Sequence, residues 1–220
     1  MPDDAYKPAL RTTLRVHEIG RASPYQLFFA GKAKSGASFG FMQGDLAARQ
    51  PVVQRTFHQA LAEAGVNEAD INDLAARLSV HLIDNPLSPA ESATVNGALA
   101  RSSTLVDAMD EAILGGVYGG LDICLRQASQ HARDLAPIAQ LYIAMWINMS
   151  GPPSKILTWI GGQDPGLRQP IAPAPRLIDQ PAIESYMLAT DYYVENPRNF
   201  RHMQESAAAG AAVLPVTPSG

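Results

Sequence analysis

The chain has 220 residues, of which 46% are hydrophobic and 17% are charged, an apolar content that argues against disorder over most of its length. Its formal net charge of −4 has the wrong sign for a protein that binds phosphate backbones through lysine and arginine, so we do not expect nucleic-acid binding. No apolar run approaches the ~20 residues that a membrane-spanning helix needs, and a single cysteine, Cys124, excludes an intramolecular disulfide.

The first predicted element is a helix over residues 8–19. Pro8 is favoured at the start of a helix, and Leu10 and Leu14 recur one turn apart on a single face. Gly20 follows, as expected of a residue that ends a helix in the left-handed conformation. The charged residues spread through this segment leave no apolar centre of a secretory signal, so we expect synthesis in the cytoplasm without a signal peptide.

Residues 21–44 lack the helical period and are rich in glycine, serine and aromatic residues. Two short aromatic runs, at 25–29 and 38–42, flank the glycine-containing segment 31–36. This arrangement predicts a small, irregular β-hairpin or loop between the first helix and the rest of the chain.

Beyond residue 50 the pattern becomes helical, with apolar residues at steps of three and four. The clearest start signal is Ser88, followed by proline and then by Glu91, a pair that satisfies two backbone N–H groups at a helix start. The segment 135–149 has the strongest amphipathic pattern and is expected to be the central core helix. The predicted helices are 51–65, 67–82, 89–100, 104–114, 121–130, 135–149, 152–159 and 182–194.

Three segments are expected to interrupt or flank these helices. The glycines within 115–120 separate two helices, and the five prolines within 163–181 predict an extended surface connector. Residues 207–220 are expected to form a loosely ordered tail, which leaves 1–206 as one domain.

Glu18 is the side chain that the sequence singles out for chemistry. It shares the apolar face of the first helix and lies one turn from its C-terminal end. Burial and the negative end of the helix dipole both disfavour a charged carboxylate, so the group is expected to stay protonated near neutral pH and to donate a proton. The alternative is a solvated glutamate on a frayed last turn, paired with Arg21 or Arg15.

The loop 36–45 is the second candidate feature, because it combines small residues with three polar side chains. Glycine lets the backbone approach a ligand closely, and Ser38, Gln43 and Asp45 offer groups that bind sugar hydroxyls or a water molecule. The alternative is an ordinary glycine-rich hairpin whose aromatic residues fill the core.

Together these features resemble the lysozyme superfamily. Glu18 followed by Tyr25 and then by Ser38-Phe-Gly-Phe41 is similar to phage-type lysozymes and pesticin, in which a glutamate at the end of the first helix precedes a tyrosine and a Thr-Ile-Gly-Tyr-like strand. Residues 36–43 equally resemble the Gly-Leu-Met-Gln element of goose-type lysozymes and soluble lytic transglycosylases. The specific match covers residues 14–46, and the remainder agrees in the order of a small β-element before a helical body.

The resemblance implies a mainly helical α+β fold of lysozyme type. It also implies cleavage of the β-1,4 bond between N-acetylmuramic acid and N-acetylglucosamine in peptidoglycan, with Glu18 as the general acid and Ser38 and Asp45 as further catalytic residues. The residues expected to contact substrate are Tyr25, Gly40, Phe41 and Gln43.

The partners implied are peptidoglycan glycan strands, with an immunity protein or delivery machinery besides. Such an enzyme acts in the periplasm or on the cell wall, as a phage endolysin, a virion-associated hydrolase or a delivered effector. The five histidines are scattered without the spacing of a metal-binding pair, so no metal and no cofactor is predicted.

Two questions stay open at this point. No Asp or Glu occurs between Ile19 and Gly44, so either Asp45 supplies a second carboxylate or Glu18 acts alone, as the single glutamate of lytic transglycosylases is thought to do. The alternative functions are a non-catalytic lysozyme-like module that binds glycan or protein in a phage particle or secretion system, and a cytosolic helical adaptor. The net charge of −4 slightly favours both alternatives over an enzyme that binds an anionic wall.

Overall fold

The computed structural model of the chain describes residues 4–31 and 35–215. It is 63% helix and 5% strand, which confirms the predicted mainly helical α+β class. Residue contacts divide the chain into two compact units, where the sequence predicts a single domain over 1–206. Unit 1 comprises Met1–His17 and Gly116–Gly220, and unit 2 comprises Glu18–Gly115.

The described chain begins with a 3₁₀ helix (Asp4–Tyr6) and α1 (Lys7–Ile19). α1 buries Leu10 and Leu14 completely. Gly20 follows with a φ of +57°, the left-handed conformation that commonly ends helices. The helix predicted over 8–19 is confirmed.

Unit 2 carries a three-stranded antiparallel sheet. Its strands, in order across the sheet, are β1 (Phe28–Phe29), β2 (Ala37–Phe39) and β3 (Gly44–Asp45). Ser38 lies opposite Phe28 on one side and opposite Asp45 on the other. The predicted hairpin is confirmed, β3 adds a strand to it, and residues 40–43 form a turn. Residues 32–34 of the predicted hairpin loop lie outside the described residues.

The rest of unit 2 is helical and packs on this sheet. Its elements are a 3₁₀ helix (Leu46–Ala48), α2 (Pro51–Glu63), α3 (Glu68–Leu78), α4 (Pro89–Arg101) and the start of α5 (Ser103–Gln130). Buried apolar side chains of the sheet and the helices form one cluster. In it the rings of Phe39 in β2 and Phe57 in α2 have centroids 6.2 Å apart. Burial of side chains of this size contributes about 1.5–3 kcal/mol each, so the sheet is stabilised chiefly by the helices beneath it.

The start of α4 confirms the predicted cap. Ser88 Oγ accepts a hydrogen bond from the backbone N–H of Glu91 (3.2 Å), and the Glu91 carboxylate accepts one from the backbone N–H of Ser88 (2.7 Å). The preceding helix, α3, ends at Leu78 and falls short of the predicted end at Leu82. The N–H of Leu82 instead donates to the carbonyl of Ser35 (2.8 Å), outside any helix.

α5 is continuous from Ser103 to Gln130, so the predicted separation into 104–114 and 121–130 is wrong. A glycine in a helix interior costs about 1 kcal/mol relative to alanine. Apolar side chains buried along the helix, among them Leu114 and Leu121, outweigh that cost.

Unit 1 is organised around α6 (Pro137–Ser150), in which every residue from 141 to 145 is buried, as predicted for the central helix. Its further elements are β4 (Asp134–Leu135), α7 (Ser154–Ile160), β5 (Leu177–Ile178), α8 (Gln180–Leu188), α9 (Asp191–Glu195) and α10 (Asn199–Ala211). β4 and β5 pair in parallel, so the connector predicted over 163–181 includes a strand. The single helix predicted over 182–194 is replaced by α8 and α9.

The loosely ordered tail predicted over 207–220 is wrong as far as Ala211, where α10 ends. Gly210 is buried against α1, and a Cβ on it would lie 1.8 Å from Thr13 Oγ1. This close helix packing keeps the alanine-rich segment ordered. Residues 216–220 of the predicted tail lie outside the described residues.

Candidate functional site

Glu18 lies in the last turn of α1, and its side chain is partly buried. The helix ends directly after it because Gly20 adopts a positive φ, which glycine does without the steric cost that a Cβ brings. The chain then reverses, and the N–H of Ala22 donates to the carbonyl of Ile19 (3.0 Å). The predicted position of Glu18, at the C-terminal end of the first helix, is confirmed.

Gln43 joins the end of α1 to the sheet. Its side-chain Nε2 donates to the backbone carbonyl of Glu18 at 2.6 Å. Its Oε1 accepts a hydrogen bond from the hydroxyl of Ser38 at 3.4 Å. Ser38 is 7% exposed, so the hydroxyl that donates to Gln43 is buried in the sheet. Hydrogen bonds thus link the backbone carbonyl of Glu18, the side-chain amide of Gln43 and the hydroxyl of Ser38.

The backbone of Gln43 has a φ of +49°, in the left-handed region that side chains with a Cβ rarely occupy. It ends a turn that begins at Gly40, whose φ is +80° and whose carbonyl accepts the N–H of Gln43 (3.3 Å). At the start of the turn, the N–H of Gly40 donates to the carbonyl of Pro24 (2.8 Å). The turn is therefore held at both ends by backbone hydrogen bonds.

Asp110 of α5 holds the middle of the same turn. Its carboxylate is completely buried and accepts the backbone N–H groups of Phe41 (2.8 Å) and Met42 (3.0 Å). Hydrogen bonds to a charged acceptor are about twice as strong as those between neutral groups. The turn that presents Gln43 is consequently fixed to a helix that lies 68 residues or more away in the sequence.

Two predicted substrate contacts lie inside unit 2 and not on its surface. The Phe41 side chain is 1% exposed, and Gly40 is buried. Their contribution to the site is the shape of the turn, because Gly40 permits the positive φ and Phe41 donates its backbone N–H to Asp110.

Asp45 has a structural role in the sheet. Its Oδ1 accepts the backbone N–H of Ala47 (2.8 Å), which caps the 3₁₀ helix that follows, and the backbone N–H of Gly36 (3.0 Å). Asp45 is also the direct partner of Ser38 in the sheet register. These bonds give its carboxylate a function in holding β3 and the adjacent loop.

Tyr25 connects the loop after α1 to α5. Its phenol donates to the Asp107 carboxylate, with distances of 3.2 and 3.3 Å to the two oxygens. Two residues later, the N–H of Leu27 donates to Asn96 Oδ1 of α4 (2.9 Å). The segment that carries Tyr25 is therefore anchored on two helices of unit 2.

Two acidic residues of the site, Asp107 and Asp110, were not predicted from the sequence. Both lie on α5, and Asp110 is one helical turn from the buried Val106 and Leu114. A charged residue on an otherwise apolar helix face is the signal that indicates a buried, hydrogen-bonded carboxylate.

Four cavities are described elsewhere in the two units. They lie between α3 and α4 (about 360 Å³), between α2 and α3 (about 470 Å³), at the turn joining α6 and α7 (about 180 Å³) and beside Pro197, Arg198 and Arg201 (about 530 Å³). None of these four is lined by Glu18 or Gln43.

Within 4–31 and 35–215, no group of three or more His, Cys, Asp or Glu side chains is arranged to hold a metal ion. Over the same residues, no helix combines the length and apolarity needed to cross a bilayer.

No family model matches this chain, and no curated protein or solved structure matches it either. Its function is therefore inferred from the residues around Glu18 and from the resemblance over 14–46.

Proposed function

We propose that the chain is a peptidoglycan glycosidase that cleaves the β-1,4 bond between N-acetylmuramic acid and N-acetylglucosamine, with Glu18 as the general acid. The observation that carries the proposal is the hydrogen-bonded group of Glu18, Gln43 and Ser38, in which a residue with a left-handed backbone joins the acid's helix to the sheet. Backbone strain of this kind costs about 1–3 kcal/mol and is concentrated at functional sites.

The chemistry requires a proton donor near the glycosidic oxygen and polar groups that orient the sugar. Glu18, partly buried at the C-terminal end of α1, supplies the donor. The amide of Gln43 carries a second N–H, which we expect to bind an oxygen of the glycan. Ser38 orients that amide from inside the sheet.

We propose further that Glu18 acts as a single carboxylate. The bonds of Asp45 to two backbone N–H groups favour a role in the sheet over a role in the reaction. Glu18 would first protonate the leaving oxygen and then accept the proton of the muramyl C6 hydroxyl, whose oxygen attacks C1 and closes an anhydro ring. This is the lytic transglycosylase route.

The test is digestion of purified, insoluble peptidoglycan by the wild-type protein, Glu18→Gln and Glu205→Gln. Glu205 is an exposed residue of α10, and its variant carries the same change of charge. We expect the wild type and Glu205→Gln to clear the suspension at similar rates. Loss of a general acid typically lowers the rate about 10²–10⁴-fold, so Glu18→Gln should be nearly inactive while circular dichroism shows it folded. Equal activity of Glu18→Gln and the wild type would contradict the proposal.

Mass spectrometry of the soluble products tests the single-carboxylate route. Anhydromuramyl ends are expected from the wild type and from Asp45→Asn, whereas reducing ends would indicate hydrolysis by water. Loss of activity in a folded Asp45→Asn would restore Asp45 as a second carboxylate in the reaction.

The alternative function is a non-catalytic module that binds glycan or protein. The net charge of −4 slightly favours this alternative over an enzyme that binds an anionic wall. A wild-type protein that sediments with peptidoglycan but releases no fragments would support this alternative.

A further inference from the structure

We propose that Asp110 is a positioning residue of this site: its buried carboxylate fixes the turn 40–43 and thereby holds Gln43 on the end of α1. This inference rests on the proposed function, because the position of Gln43 matters for catalysis only if Glu18 is the acid. Asp110 itself is too deeply buried to touch a glycan.

The first step is the burial of the charge. Asp110 has no exposed surface, and a buried carboxylate is costly unless hydrogen bonds replace its water. Consecutive backbone N–H groups, from Phe41 and Met42, point at its two oxygens at 2.8 and 3.0 Å. The carboxylate and the turn therefore stabilise each other. The turn supplies hydrogen-bond donors to the buried oxygens, and the oxygens supply acceptors to the N–H groups of the turn.

The second step is the closeness of the turn to α5. A Cβ added at Gly40 would lie 2.3 Å from Asp110 Oδ1 and 2.7 Å from Met109 Cε. A Cβ at Gly44 would lie 3.2 Å from the same Met109 methyl. Glycine at the start of the turn and directly after it lets the backbone lie against the helix, where the carboxylate reaches it.

The third step leads from the turn to the acid. Once Phe41 and Met42 are fixed, the next residue, Gln43, is held at a φ of +49° that it would otherwise relax. In that conformation its side chain reaches the carbonyl of Glu18 at 2.6 Å and meets the Ser38 hydroxyl at 3.4 Å. Asp110 thus acts on Glu18 through the turn.

The test is Asp110→Asn, with Asp84→Asn on an exposed loop as the control of equal charge change. Asparagine keeps the shape but presents one oxygen and one N–H₂ group to two backbone donors. We expect faster hydrogen exchange, by NMR, at the Phe41 and Met42 amides and at the Gln43 side-chain amide. We expect kcat on peptidoglycan fragments to fall about ten- to a hundredfold, with a smaller rise in KM from the loosened Gln43 amide, because misplacement of an acid affects the transition state more than binding.

Gly40→Ala is the second variant, because its Cβ would meet the Asp110 carboxylate and push the turn away from it. It should reproduce the exchange pattern and the loss of kcat. A measurement on the wild type needs no variant: the Gln43 side-chain amide should exchange more slowly than that of the exposed Gln50. Exchange at equal rates would overturn the inference even if both variants failed to fold.

The remaining outcomes separate this inference from the proposed function. A folded Asp110→Asn with wild-type kcat, or with unchanged exchange at Gln43, would overturn the positioning role while leaving Glu18 as the acid. An inactive wild-type protein would instead overturn the proposed function and, with it, the role of the turn in catalysis. Loss of kcat with retained stability, in Asp110→Asn but not in Asp84→Asn, supports the inference.

Discussion

The backbone of Gln43 adopts a left-handed conformation that costs a residue with a Cβ about 1–3 kcal/mol. The cost is offset by the hydrogen bond that its side chain donates to the Glu18 carbonyl, by the one that it accepts from the Ser38 hydroxyl, and by the anchoring of the preceding residues on α5. Gln43 therefore gives up some stability for a fixed contact with the backbone at the end of α1.

Gln43→Gly separates these two effects. Glycine relieves the backbone strain but removes both side-chain bonds and loosens the unfolded chain, so we expect the free energy of unfolding to change by less than about 1 kcal/mol. Activity on peptidoglycan should nevertheless fall at least about tenfold, since the end of α1 is no longer held. Urea denaturation and the suspension assay measure the two quantities.

Arg49→Gly is the matched control, because Arg49 has a φ of +52° but lies exposed after the 3₁₀ helix. It should keep wild-type activity and a free energy of unfolding equal to that of the wild type or up to about 1 kcal/mol higher. A loss of activity in Arg49→Gly as large as in Gln43→Gly would show that the backbone change alone disturbs the site.

The local structure that carries the candidate site could be predicted where its signal is local. The candidate site lies in one short stretch of chain that contains Glu18, Ser38 and Gln43. The sequence indicates both the end of the helix and the glycine-containing turn in this stretch. The role of Asp110 could not be predicted, because its partners are 68 and 69 residues away in the sequence. The spacing of apolar residues along a helix does not indicate a contact at that separation. Likewise, the burial of Phe41 depends on what packs over it.

At the scale of elements, the start of α4 carries a carboxylate, Glu91, whose pKa is strongly lowered. A hydrogen bond from Arg77 of α3, with those of the Ser88 cap, lowers the pKa of Glu91 from 4.5 to about 2. Since the folded-state pKa is depressed, the stabilising effect is complete above the unfolded value and is lost as pH falls toward 2.

The expected result is a pH-dependent difference between the wild type and Glu91→Gln. At pH 7 the wild type should be the more stable of the two, and the difference should narrow between pH 4.5 and pH 2 as the carboxylate is protonated. Urea midpoints of both proteins across this range provide the measurement. A difference that stays constant down to pH 2, or widens, would contradict the assignment of the cap and ion pair.

The glycines of α5 give a second element-scale prediction. A Cβ at Gly119 would meet nothing within 4 Å, whereas one at Gly120 would lie 3.1 Å from two carbons of Ile147. Gly119→Ala should therefore raise the free energy of unfolding by roughly 0.5–1 kcal/mol, and Gly120→Ala should give a smaller gain or a loss. Thermal unfolding of the two variants compares them directly, and a larger gain from Gly120→Ala would contradict the packing.

The same glycines show why the extent of a helix was predicted less well than its existence. The capped start at Ser88 and the place of α6 as the central helix were predicted correctly, because their signals are local. The predicted one-sided apolar stripe of α6 is wrong, since its residues 141–145 are buried on every side. The glycines of α5 suggested a break, and burial of the residues between them overrides that preference. The short strands β3, β4 and β5 have too few residues to show a period.

At the scale of the whole molecule, the reactivity of the single cysteine measures how often unit 1 opens. Cys124 is fully buried in α5, and burial raises the pKa of its thiol to about 12. Both its inaccessibility and the scarcity of thiolate protect it from thiol reagents.

Labelling of Cys124 should consequently require opening of the structure. We expect its reaction with a thiol reagent at pH 8 to be at least on the order of a thousandfold slower in the native protein than in denaturant. Absorbance of the released reagent group follows the reaction. Rapid labelling of the native protein would contradict the burial of this face of α5.

The division of the chain into two units could not be predicted from composition or length, which are equally compatible with one domain. The order of α10 depends on a contact between Gly210 and Thr13, at opposite ends of the chain, which alanine-rich sequence alone does not indicate. Contacts of high sequence separation thus account for the main differences from the predicted organisation.

The most direct measurement of the central claim is the number of new glycan chain ends that Glu18→Gln produces from purified peptidoglycan, relative to the wild type. Counting ends registers bond cleavage and ignores binding. With Glu18 as the acid, the variant should produce at least about a hundredfold fewer ends per minute while its urea midpoint stays close to that of the wild type. Production of ends within about threefold of the wild-type rate would contradict the role of Glu18.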